Sequence, residues 1–245
     1  TLEGELGKYN DNSPEAAAVM LKLANLYHTN GRVFGLVRVT QRFVSAQPTN
    51  PQHPAMMIKL LDGLEVMARH KEFAVIARQF LARYPKLPQV AAVEVRLANT
   101  FEQMTDRLAS AQTHRAVWNR QPGSPIGREH GLLAVSQFAA SNGAPAITQA
   151  AELAEDMVDR SPKGSFADGI GWRGFHEWRR INQWAKSNIL GNKLLKKGLP
   201  IDPKRRRELH YYMAENYASL GLHANAVANL KLARSLGESP AYHMQ

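Results

Sequence analysis

The chain contains no cysteine. That absence excludes disulfide scaffolds, thiolate metal sites and cysteine nucleophiles together. It leaves the compartment open, since a cysteine-free protein is stable in reducing and oxidising spaces alike. No stretch approaches 18 uninterrupted apolar residues, so no transmembrane span is expected. Alternating apolar and polar runs are also missing, while alanine, leucine, lysine and arginine abound, which argues against strands.

Catalytic signatures are equally scarce. There is no P-loop and no G-x-S-x-G elbow. His176-Glu177-x-x-Arg180 lacks the second histidine of a zinc-protease helix. Gly169 to Gly174 spells G-x-G-x-x-G, but a dinucleotide site needs a strand before it and an acid about 20 residues on. Ser161 to Phe166 does not read as a strand, and Glu177 and Asp202 fall at the wrong offsets; a turn entering a helix is the better reading. The nine histidines are dispersed. The expectation is a non-enzyme with no cofactor and no metal site. Thr1 opens the chain without a signal-peptide pattern behind it, as expected of a piece cut from a longer protein. A cytoplasmic location is favoured, with a periplasmic one open if a signal was removed.

What is present is a period. Lys22-Leu23-Ala24-Asn25-Leu26-Tyr27 matches Arg96-Leu97-Ala98-Asn99-Thr100-Phe101 at an offset of 74, twice 37. Lys59-Leu60-Leu61-Asp62-Gly63-Leu64 lies midway, Pro48, Pro85 and Pro122 keep the same step, and Phe43 maps to Phe80 and Val117. One more step of 37 from Phe101 reaches Phe138, with Asn142-Gly143 behind it as Asn30-Gly31 follows Tyr27. Each unit reads as two helices. Val19, Met20, Leu23 and Tyr27 have the spacing of one buried helical face, and Gly31 suits a left-handed helix end. A second run through Val33, Leu36, Val37, Thr40, Phe43 and Val44 stops before Pro48. One domain over 1–245 is expected, with repeats at about 16–48, 54–85, 89–122 and 128–162, a modified tryptophan-rich repeat at 163–203 and a final one at 204–240.

In the last unit Met213-Ala214, Tyr217, Gly221, Ala226, Leu230 and Ala233 alternate small residues with an aromatic and a turn glycine. With Leu23, Ala24, Tyr27, Gly31 and Pro48 in the first unit and Leu97, Ala98, Phe101 and Pro122 in the third, this resembles the tetratricopeptide repeat family over roughly four-fifths of the chain. The period departs from that family's 34 residues, and Ser110 and Leu36 stand where alanine is usual. The resemblance implies an all-α right-handed superhelix, a TPR-like solenoid of about five helix pairs, acting as a protein-binding scaffold with the first helix of each pair lining a concave groove. On those helices Lys22 with Asn25, Lys59 with Asp62, and Arg96 with Asn99 are spaced to share one face. Cations and amides in a ladder suit an extended or acidic segment of a partner protein; a solvated face with local pairs such as Lys59–Asp62 is the plainer alternative. Chaperone-binding members of the family use a carboxylate clamp, but its lysine is not matched at Leu21, so that specificity is not carried over.

The net charge of +10 is concentrated. From Lys163 to Arg207 twelve Lys/Arg face three acids, Asp168, Glu177 and Asp202, and account for all but one of the net charges. The basic residues there include Arg173, Arg179, Arg180, Lys186, Lys193, Lys196, Lys197, Lys204, Arg205, Arg206 and Arg207, interleaved with Trp172, Phe175, Trp178 and Trp184. Such a segment suits an acidic partner or nucleic acid, with single-stranded RNA as the alternative reading. A third reading, suggested by the missing initiator methionine, makes the whole piece a regulatory or docking arm of a larger enzyme or secretion complex. A helix from about Gly171 to Leu190, ended by Gly191, would put Trp172, Phe175, Trp178, Ile181, Ala185 and Ile189 on one broad face. That face favours burial of the tryptophans in the core. The cations scatter around the same wheel, against an interfacial membrane helix.

Overall fold

The computed structural model describes residues 1–141, 143–160, 165–196 and 203–237. Among them are thirteen α-helices and no strand, divided between two compact units, Thr1–Asp106 and Arg107–Gln245. The first unit holds α1 (Leu2–Leu6), α2 (Pro14–Thr29), α3 (Val33–Ala46), α4 (His53–Val66), α5 (His70–Arg83) and α6 (Val90–Gln103). The second holds α7 (Arg107–Arg120), α8 (Pro125–Ala140), α9 (Ala144–Arg160), α10 (Ser165–Arg180), α11 (Trp184–Lys196), α12 (Pro203–Ser219) and α13 (His223–Ser235). Within each unit every helix packs on its neighbours in the chain. This is the TPR-like array of helix hairpins that the repeat predicts. The even-numbered helices from α2 to α12 lead the repeats, and the odd-numbered ones from α3 to α13 trail.

One turn chemistry ends five of the leading helices. Gly31, Ala68, Thr105, Asn182 and Gly221 all have φ between 52° and 73°. The next residue's N–H donates back to the carbonyl of Tyr27, Leu64, Phe101, Trp178 and Tyr217 respectively, at 2.8–2.9 Å. This is the six-to-one bond of a Schellman cap, and it needs a left-handed residue at the tip. Glycine takes that conformation without strain; Ala68 and Thr105 adopt it with a Cβ. The trailing helices stop differently. The Gln47 and Tyr84 N–H groups close α3 and α5 on the Phe43 and Phe80 carbonyls at 2.8 Å, and Pro48 and Pro85 follow, unable to continue a helix.

The leading helices bury Leu23 and Ala24, Leu60 and Leu61, Leu97 and Ala98, and Ala134 and Val135, with Tyr27, Leu64, Phe101 and Phe138 one turn on, and α12 buries Met213 and Ala214. Each large buried side chain contributes about 1.5–3 kcal/mol. The trailing helices offer a second seam at i, i+3 and i+7. It reads Val37, Thr40 and Val44; Ala74, Ala77 and Leu81; Ala111, His114 and Trp118; Ala151, Ala154 and Val158; then Asn188, Gly191 and Leu195, each position buried or half-buried. The following leading helix lies on it. A Cβ on Gly63 of α4 would lie 2.6 Å from Val37, and one on Gly174 of α10 would lie 2.7 Å from Ala154. Between α7 and α8 the seam is polar: one Nδ1 of buried His114 and His130 donates to the other at 2.7 Å. Between α11 and α12, Asn216 donates to Asn188 at 2.8 Å.

The tryptophan-rich stretch corrects one expectation. It is not a single helix over Gly171–Leu190 but the hairpin α10–α11, turned at Asn182, with Gly191 inside α11 against Met213. The predicted apolar face therefore ends at the turn. Phe175 and Trp178 are buried and Trp172 and Ile181 pack against the same core, but Ala185 and Ile189 lie on the next helix and are exposed. Trp178 occupies the place of Tyr27, so this stretch is a repeat in its own right. Lys163, Lys197 and Asp202 lie outside the described residues, as do the side chain of Asp168 and Asn142.

Candidate functional site

Three surfaces compete for the functional role, two in the first unit and one in the second. The ladder residues sit on the leading helices α2, α4 and α6. Lys22, Asn25 and Asn99 are exposed, and Lys59, Asp62 and Arg96 are half-buried. Asp62 does not pair with Lys59. It pairs with Arg96 of the next rung at 3.0 Å, and Arg96 also reaches Glu65 at 2.7 Å and lies over the Phe73 ring. The third cation is thus engaged within the protein, whereas Lys22 and Lys59 make no ion pair among the described residues.

The second surface was not predicted. An open groove of about 1040 Å³ runs past the tips of the first two hairpins, lined by Glu3, Tyr27, the start of α3, and Val66, Met67 and Arg69. Phe34 stands 79% exposed in it and Val66 72% exposed, with Arg32, Arg38 and Arg69 around them. One carboxylate already sits there: Glu3 accepts from Arg38 at 2.6 Å and from the Tyr27 hydroxyl. The Tyr27 hydrogen bond, opposed by burial and reinforced by Arg38, holds the Glu3 carboxyl below its ordinary range, and the same bond pushes the Tyr27 phenol up. Arg69 is paired with Glu72, while Arg32 makes no ion pair among the described residues. Phe34 escaped the periodicity argument because it falls off the buried face of α3. A large apolar residue on the polar side of a helix, flanked by arginines, was the signal available.

The third surface is the basic segment of the second unit, much of which turns inward. Arg179 pairs with Glu215 at 2.6 Å, donates to buried Asn216 at 3.0 Å and stacks on Tyr212. Arg180 holds Glu177 and the Ala139 carbonyl, and Lys193 bridges Glu155 and Asp159. Burial works against the charge on Lys193, but Asp159 and Glu155 outweigh it and push its pKa up. Lys186 lies over the Trp178 ring. Lys204, Arg205 and Arg207 also have partners, and Arg173, Lys196 and Arg206 line the remaining surface. Trp172, His176 and Tyr212 pack ring on ring, and burial, then Arg179, push the His176 pKa down.

Among the described residues no group of three or more His, Asp or Glu could hold a metal, and no helix is long and apolar enough to cross a membrane. No family model matches the chain and no curated protein matches it. Solved structures overlap it along most of its length. A tetratricopeptide repeat protein from Parabacteroides merdae is 12% identical, covering 91% of this chain and 80% of its own, with a TM-score of 0.43. BtubC (BKLC) from P. vanneervenii is 11% identical over 92% of this chain and 96% of its own, with a TM-score of 0.42. MamA is 12% identical over 91% and 93%, with a TM-score of 0.37. At scores below 0.5 the fold assignment stands on the capped turns and buried seams rather than on these overlaps.

Proposed function

We propose that the protein is a non-catalytic interaction scaffold whose first unit captures an extended, acidic segment of a partner protein. The observation that carries this reading is the groove at the hairpin tips, where Phe34 and Val66 stand in solvent beside Arg32, Arg38 and Arg69. Covering an exposed phenylalanine contributes about 1.5–3 kcal/mol, so an apolar side chain of the partner has an anchor. The guanidinium groups favour carboxylates flanking that anchor, and Arg38 already takes one from Glu3. Lys22, Asn25 and Lys59 extend the same preference along the leading helices, with the Asn25 amide suited to a peptide backbone.

A peptide-display selection against the whole chain tests the reading. Enriched sequences should combine an aromatic or large aliphatic residue with Asp or Glu nearby. Phe34→Ala should weaken the selected peptides about tenfold, equivalent to about 1.4 kcal/mol, and Arg32→Glu with Arg38→Glu should abolish capture. Removing the charges of Lys22, Lys59 and Arg96 together should weaken it further if the segment runs along the ladder. Peptides without an acidic bias, or capture indifferent to all of these changes, would reject the proposal.

A further inference from the structure

Among the described residues the trailing-helix seam is covered five times and open once. In α13 the equivalent positions, counted from the hairpin tip, are Val227, Leu230 and Arg234. Val227 is 50% exposed and Leu230 37%, where Val37 and Asn188 are each 3% exposed and Ala77 and Thr40 are fully buried. Only Ala226 and Ala233 of α13 are buried. In an array of this kind a hairpin cannot cover its own second face and depends on the next helix to do so.

We infer that the outer face of α13 is a docking site for an amphipathic helix of a partner protein, seated as the leading helices seat on the five trailing helices before it. The covered seams define the occupant. Leading helices present large apolar residues four apart over three turns, as Met56, Leu60 and Leu64 do, and that is the pattern the open seam fits. The third position adds a charge requirement. Arg234 replaces the Val44, Leu81, Trp118, Val158 and Leu195 of the other seams, Lys231 is beside it, and α13 contains no acid. The incoming helix therefore carries a carboxylate at the end that meets Arg234.

The probe is a labelled peptide spanning Val90 to Gln103, a leading helix of this chain that carries Glu94 and Glu102, titrated into the full protein by fluorescence anisotropy. Binding in the micromolar range is expected, weakened about tenfold or more by Val227→Asp and by Arg234→Glu, and unchanged by Phe34→Ala, which separates this site from the groove. Circular dichroism melts identical to the parent establish that the variants fold, and Val227→Asn serves if the aspartate does not. No binding, or binding insensitive to both substitutions, overturns the inference. So does binding that requires removal of residues 238–245, since that segment would then be the occupant. Concentration-dependent self-association lost in Val227→Asp would assign the face to a second copy and overturn it likewise.

Discussion

The first and last trailing helices, α3 and α13, begin from the same capped turn but end in different surroundings. On α3 the seam residues Val37 and Thr40 are buried under α4, and Gly63 is present because a larger residue would collide with Val37. The equivalent Val227 and Leu230 on α13 face solvent. Local chemistry makes the helix in both cases, but the next helix decides whether its outer stripe becomes core. Stability in such an array belongs to interfaces between neighbours rather than to hairpins.

The largest expected effect breaks that contrast directly. Val37→Asp places a charge in a closed apolar seam and should destabilise the protein by at least about 3 kcal/mol in urea unfolding, whereas Val227→Asp should stay within about 0.5 kcal/mol. Equal losses would mean that α13 is covered in solution. A middle-sized effect lies at the tips. Gly31→Ala should cost about 1 kcal/mol, and Thr105→Gly should recover a similar strain less the added chain entropy, so the two melting temperatures move in opposite directions. The smallest effect concerns a strap that α3 has. Asp11 accepts two hydrogen bonds from Arg42, with Nε at 2.7 Å, while Gln47 donates to the Asp11 carbonyl at 2.7 Å. The Arg42 hydrogen bonds, net of burial, hold the Asp11 carboxyl below its ordinary range. The depressed value means that its contribution is present above about pH 4 and is lost as pH falls through the folded-state pKa. Because the pair is half-exposed, Asp11→Asn should cost at most about 1 kcal/mol at neutral pH and flatten the acid limb of the stability curve.

His53 adds a second acid-sensitive contact in the same unit. Its ring donates from Nε2 to the Val44 carbonyl at 3.2 Å and accepts from the Tyr84 hydroxyl at Nδ1 at 2.8 Å, which fits one neutral tautomer. Burial pushes its pKa down, only partly opposed by the Val44 bond. Its stabilisation is complete above about pH 6.5 and fades as the ring is forced to charge at lower pH. Repeating the urea series with His53→Gln should remove the part of the loss that begins near that pH.

Much of the repeat was legible because its determinants are local. The prolines after α3 and α5, the spacing of Leu23 and Tyr27, and the glycines at two tips all act within a turn or two of chain. The period failed where a helix changed length. From Phe138 to Trp178 the step is 40 rather than 37, and α9 has 17 residues against 14 in α3, α5 and α7. Trp178 was therefore read as one residue on the apolar face of a single long helix in a modified repeat, when it fills the place of Tyr27. Asn182, unlike Gly31, does not advertise a left-handed tip strongly enough to divide α10 from α11.

The amino-acid order by itself determined most of the helices, the glycine-capped turns and the inner face each hairpin would bury, since periodicity and φ preferences depend on residues at most a few positions apart. Tertiary packing decided the rest: that Arg96 would meet Asp62 and Glu65 rather than solvent, that Arg179 would hold Glu215 and Asn216, that Phe34 would remain uncovered, and that α13 would end with its seam open. Each of those outcomes depends on which helix lies alongside, and the groups involved come from different helices, most of them some thirty residues or more apart in the chain. Neither charge nor hydropathy along the sequence records that distance being closed.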